Sequence, residues 1–143
     1  MSVTSYFDKV RIQSVKDILH EELIDAGMYQ AILTDVSGNI IAQQDSGETL
    51  YDAMSLAVLA ASNIGSLNAM SKIIGEEEFP MFILKGERDN IHFNKVSDAL
   101  FLITLFNREL SLGFVRQRID AAVKNIQDLI RHCDIPLPNT PDI

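Results

Sequence analysis

AMSLAVLAASNIGSLNAMS, residues 53–71, carries no charged side chain and no proline, and its reading decides the fold. The stretch approaches the length of a bilayer-crossing helix. Ser55, Ser62, Asn63, Ser66 and Asn68 would each need a partner in lipid, so a helix packed in protein suits them better than a membrane span. Extended outward, the helix runs from about Leu50 to Ile74 and closes at Gly75, a favoured residue just past a helix end.

On a helical wheel Leu56, Leu59, Leu67, Met70 and Ile74 gather on one side and are expected to cover a sheet. The other side presents Ala57, Ala61, Gly65 and Ala69 at steps of four, flanked by Ser62 and Ser66, with no charge until Lys72. A solvent face would be charged. Gly65 costs helix stability about 1 kcal/mol relative to alanine without gaining solubility, whereas small side chains let another backbone approach closely. The strip is therefore expected to meet a second copy or a partner. The alternative is a third layer of the same chain, but the other helices are needed elsewhere.

Upstream, Val15, Ile18, Leu19 and Leu23 fall at helical spacing before Gly27, which predicts a first helix over about 4–26. Tyr29 to Thr34 and Ile40 to Gln43 flank the turn-forming Asp35-Val36-Ser37-Gly38-Asn39 and read as a β-hairpin. Downstream of Pro80, Met81 to Lys85, Ile91 to Val96 and Ala99 to Phe106 read as three strands. Ser111 then caps a last helix with Val115, Ile119, Ala122, Val123, Ile126, Leu129 and Ile130 on one face, ending before Pro136 and Pro138. The order helix-strand-strand-helix-strand-strand-strand-helix predicts an α/β fold with a five-stranded antiparallel sheet. The first and third helices share one face, leaving the second alone on the other.

With 143 residues, 47% of them hydrophobic, the chain fits one domain, expected over 4–132 with a short loose tail at 134–143. A net charge of -8 repels phosphate backbones and argues against nucleic acid as a partner. The lone Cys133 and the absence of a basic, apolar leader make the cytoplasm the expected address. His20, His92 and His132 lack metal-ligand spacing, no glycine-rich loop leads to a phosphate-binding lysine, and no nucleophile is matched to a base. Neither a cofactor, a metal nor catalytic residues are expected. Glu76-Glu77-Glu78 reads as a solvated turn, or as a rim that selects a basic partner.

Several segments in order carry a further signal: Ser62-Asn63-Ile64, Lys72-Ile73-Ile74-Gly75-Glu76-Glu77-Glu78-Phe79-Pro80, Phe106-Asn107-Arg108, and Ser111-Leu112-Gly113-Phe114-Val115-Arg116-Gln117-Arg118-Ile119. Together, from about Phe7 to Ile130, they resemble the roadblock / dynein-light-chain superfamily, and within it the prokaryotic regulators of a gliding-motility GTPase. The resemblance implies a homodimer in which the second helices and third strands meet in a continuous sheet. It also implies a Ras-like small GTPase as partner, contacted at Ala57, Ala61, Gly65 and Ala69. Ser62, Ser66, Lys72 and Ile73 complete the expected surface.

No arginine lies in the second helix. Arg108, Arg116 and Arg118 are expected on the far side of the sheet, where they serve surface charge, ion pairs and capping rather than a trans arginine finger. The chain also stops at Pro138-Asn139-Thr140-Pro141-Asp142-Ile143, without the long acidic extension some relatives carry. A scaffold that binds a GTPase without accelerating hydrolysis is the first alternative. A small-molecule sensor is the second, and it would need a cavity with convergent polar groups.

Overall fold

The computed structural model describes residues 7–47, 51–76 and 81–132. The expected tail at 134–143, Cys133, Leu50, Glu77, Glu78 and Pro80 lie outside them. Helix α1 (Lys9–Leu19) starts where the Asp8 carboxylate accepts the Arg11 amide at 2.9 Å, which satisfies one of the orphan donors of the first turn. The regular helix is shorter than the sequence suggests. Residues His20–Ile24 widen into a π-helical turn before Gly27, whose φ of 107° reverses the chain.

Strands β1 (Gln30–Asp35) and β2 (Ile40–Asp45) form the expected hairpin. Its turn is built on Asp35, whose carboxylate accepts the Ser37 and Asn39 amides, each at 2.9 Å, and the Asn39 side-chain amide at 3.0 Å. Gly38 sits at φ 89°, and a Cβ there would stand 3.0 Å from the Cα of Val58 in helix α2 (Ala53–Ile73). Strands β3 (Met81–Lys85), β4 (Asp89–Ser97) and β5 (Leu100–Asn107) follow, then helix α3 (Leu112–His132). The Ser111 hydroxyl accepts the Phe114 amide at 3.0 Å, the N-cap read from the sequence.

The sheet order is β2-β1-β5-β4-β3, every neighbouring pair antiparallel. The larger core lies between one face and the pair α1 and α3, joining Val15, Leu19 and Leu23 to Leu33, Leu102, Phe106, Ile119 and Ile126. The smaller core, Ile32, Phe93, Ile103 and Leu105, lies on the opposite face under Ala60 of α2. Among the described residues helix α2 is thus alone on its side, as the element order predicts. Arg118 ties the large layer together: its Nε donates to the Glu22 carbonyl at 3.0 Å and its Nη2 lies 3.0 Å from the Glu22 carboxylate. Its Nη2 also donates to the Glu21 carbonyl at 3.4 Å. These bonds satisfy carbonyls that the π-turn leaves open.

Candidate functional site

Helix α2 is set firmly at both ends. At its start Asp52 accepts the Ser55 amide at 3.2 Å and the Ser55 hydroxyl at 2.7 Å, and these bonds hold its carboxyl below the usual carboxylate range. The residue before it is clamped to β1, because the Gln30 side chain accepts the Tyr51 amide at 3.0 Å and donates to the Tyr51 carbonyl at 3.1 Å. The Tyr51 hydroxyl donates to Asp89, which raises its pKa, with burial adding to the shift. At the other end Gly75, at φ 75°, donates to the Lys72 carbonyl and Glu76 to the Ser71 carbonyl, a Schellman stop.

The face that α2 turns to the sheet is not the one expected. Ala57, Ala60, Ile64 and Ser71 are buried there, with Ala53 and Leu56 packed alongside. Leu59 is 62% exposed, Met70 53% and Ile74 66%, so three of the large residues expected to cover the sheet point to water. Leu56 and Leu67 are half-buried. The reason lies underneath: Phe93, Ile103 and Leu105 already fill much of the space, with Phe82 stacked on Phe93 at 4.3 Å, and these bulky strand residues leave room for alanines with Ile64 and part of Leu56, not for the whole row of large residues.

The row at steps of four also divides. With about 3.6 residues per turn, each step of four advances about 40° around the helix. Ala57 is therefore fully buried against the sheet, which corrects its place in the expected open surface, and Ala61 is half-buried at the edge. Gly65 and Ala69, with Ser62, Ser66, Lys72 and Ile73, are exposed. Around them lie Met54, Val58, Leu59 and Met70, so the open face is more apolar than a strip of small residues. Its two serines add little polarity: the Ser62 hydroxyl donates to the Val58 carbonyl at 3.3 Å and that of Ser66 to the Ser62 carbonyl at 3.4 Å. Among the described residues nothing lies within 4 Å of a Cβ built on Gly65.

By length and composition α2 could cross a bilayer. Removing it from the sheet would uncover Ile32, Phe93 and Ile103, which argues for the packed helix. The adjoining edge strand β3 pairs only with β4 among the described residues, and it is apolar at Met81, Phe82, Ile83 and Leu84. The opposite edge, β2, is polar along half its length, at Gln43, Gln44 and Asp45. Unprotected apolar edges invite another strand.

The arginines are placed apart. Arg118 is engaged by the π-turn that follows α1, and Arg116 is exposed on α3, away from α2. Arg108 departs from expectation: it stands at the end of the sheet, in a hollow it shares with Arg88, Tyr29 and Tyr51, the last of these adjoining α2. His20 lies 3.1 Å from Asp25. His92 is 1% exposed under α3, and neither its ring nitrogens nor the hydroxyl of its neighbour Thr104 has a hydrogen-bond partner among the described residues. Burial, helped by Arg116 and opposed by Asp120, pushes the His92 pKa down to about 4. No group of three or more metal-binding side chains occurs among the described residues.

Among the described residues, an antiparallel sheet of five strands carries two helices on one face and one apolar helix on the other, which is a roadblock-like fold. The structure is similar to Myxococcus xanthus MglB, with a TM-score of 0.82 and 25% identity over 91% of this chain and 97% of that one. It is also similar to the gliding protein mglB of Thermus thermophilus, at a TM-score of 0.80 and 22% identity over 88% and 95% of the two chains. A roadblock/LC7 domain from Streptomyces avermitilis follows at 0.69 and 14% identity, over 81% and 97%. No family model and no curated relative matches the sequence. The resemblance drawn from the sequence motifs and the likeness of the folds thus agree.

Proposed function

We propose that the chain forms a homodimer through the open face of α2 and the edge of β3, and that the paired α2 helices bind a Ras-like small GTPase. The observation that carries this reading is the uncharged run from Ala53 to Ser71, with Leu59 and Ile73 turned to water beside an apolar edge strand whose outer side has no partner among the described residues. Surfaces of this kind mark protein–protein contacts. The likeness to MglB supports the GTPase as partner, and a similar solved structure, an MglB "with tetrameric arrangement", supports self-association. A cytoplasmic address and a role in motility fit the same likeness.

The regulatory act would be stimulation of GTP hydrolysis by repositioning the GTPase's own switch loops and catalytic groups. Helix α2 has no arginine to contribute as a finger. Differential affinity for the active arrangement is then the source of activation.

Gly65→Arg tests the surface. The position is open and arginine is the better helix former, so the monomer should keep its fold. Loss of the dimer in sedimentation, or loss of GTPase binding, is expected; if both persist, the face is wrong. Phosphate release from the cognate GTPase separates activator from scaffold, since stable binding with unchanged hydrolysis leaves only an adaptor.

A further inference from the structure

The end of the sheet where β1 and β4 begin and β5 ends holds a hollow of about 780 Å³, lined by Tyr29, Tyr51, Arg88, Asp89, Asn107 and Arg108, with Glu87 and Glu109 at its sides. The Arg108 amide donates to the Arg88 carbonyl at 2.8 Å, one rung beyond the Asp89–Asn107 pair. The two arginines are therefore cross-strand neighbours. Like charges in that relation repel. In a chain with 20 acidic and 12 basic residues, neither guanidinium makes an ion pair among the described residues, although Glu87 and Glu109 line the same hollow.

The other polar groups sort by whether they are already engaged. Asp89, the half-buried carboxylate, accepts the Tyr51 hydroxyl. The Asn107 carbonyl oxygen accepts the Glu109 amide at 2.8 Å, and its amide donates to the Tyr29 hydroxyl at 2.9 Å. Tyr29 thus spends a lone pair and keeps its own proton to give. Glu87 and Glu109 are exposed, as are Arg88 and Arg108, and neither carboxylate pairs with a guanidinium among the described residues. The donors in the hollow with no partner among the described residues are two guanidinium forks and one hydroxyl. Their complement is rich in acceptors and negatively charged.

We infer that this hollow binds the phosphate or carboxylate group of a small ligand between Arg88 and Arg108, with the Tyr29 hydroxyl as third donor. Guanidinium forks bind oxyanions in two-point geometry, and the tyrosine rings wall the remaining volume for the rest of such a molecule. The inference does not depend on a GTPase partner.

The test is a titration of the 15N-labelled full chain with inorganic phosphate and, separately, with malonate, ionic strength being held constant with sodium chloride. Saturable shifts confined to the amides of Tyr29, Tyr51, Arg88 and Arg108 are expected. The affinity should fall about tenfold or more in the Arg88→Gln/Arg108→Gln double variant, and less in Tyr29→Phe. Tighter binding of phosphate identifies the ligand as a phosphate compound, and tighter binding of malonate a carboxylate. The inference is overturned if neither anion saturates, if chloride gives the same shifts, or if the double variant, with its other amide signals unmoved, binds both anions as well as the parent chain.

Discussion

Helices α2 and α3 are both 21 residues long and lie on opposite faces of one sheet, yet they meet water in opposite ways. Helix α3 gathers Val115, Ile119, Ala122, Ile126 and Ile130 in one buried stripe and turns Arg116, Gln117, Asp120 and Lys124 outward. Helix α2 is apolar around most of its circumference, rests on the sheet through alanines, and leaves Met54 73% and Ile73 83% exposed. An amphipathic helix is complete once its stripe is covered. A helix with apolar groups on both sides is complete only when both are covered, and the sheet covers one.

That contrast can be broken at four points, from the largest expected effect downward. Ile126→Ala empties a site with 0% exposure and should lower unfolding free energy by about 2–5 kcal/mol in urea titrations. Acidification attacks the same layer. The folded state holds His92 neutral down to about pH 4, whereas the unfolded chain protonates it near 6.5, so the unfolded chain binds more protons between those values. Stability should therefore fall as pH drops from about 6.5 to about 4, by at most about 3 kcal/mol, and His92→Phe should flatten that slope.

Arg118→Ala removes the donors from the Glu21 and Glu22 carbonyls and one partner of an ion pair that is partly exposed. Its cost in thermal or chemical unfolding should be about 1–2 kcal/mol. Ile73→Ser should change the stability of dilute monomer by less than about 0.5 kcal/mol, while weakening self-association in sedimentation at high concentration. A stability loss as large as that of Ile126→Ala would mean that α2 and α3 do not differ as described.

Much of the fold was legible because the signals are local. Gly75, Ser111 and the Asp35–Asn39 turn each end or begin an element through backbone chemistry that neighbours in the chain supply. Three features were not. The π-turn at His20–Ile24 is satisfied by Arg118, which lies far along the chain, so no local pattern announces it. The orientation of α2 depends on what the sheet presents beneath it. A helix apolar on every side gives no direction of its own, and the rule that large residues face inward failed because Phe93, Ile103 and Leu105 had already taken the volume. Gly65, Ala69 and Ile73 were found on the open face; Ala57 was not, because a row at steps of four winds away from any fixed side. The hollow around Arg88 and Arg108 joins four separate segments and had no sequence signature beyond Arg108 itself.

The absent side chain at Gly38 brings the tip of the first hairpin flush with the backbone at Ala57 and Val58. The hairpin therefore serves as a spacer that fixes the height of α2 above the strands. Any ligand or partner that lifts or rolls that helix must also bend a turn braced by the Asp35 carboxylate, so displacement at the surface would be transmitted to the rim of the sheet.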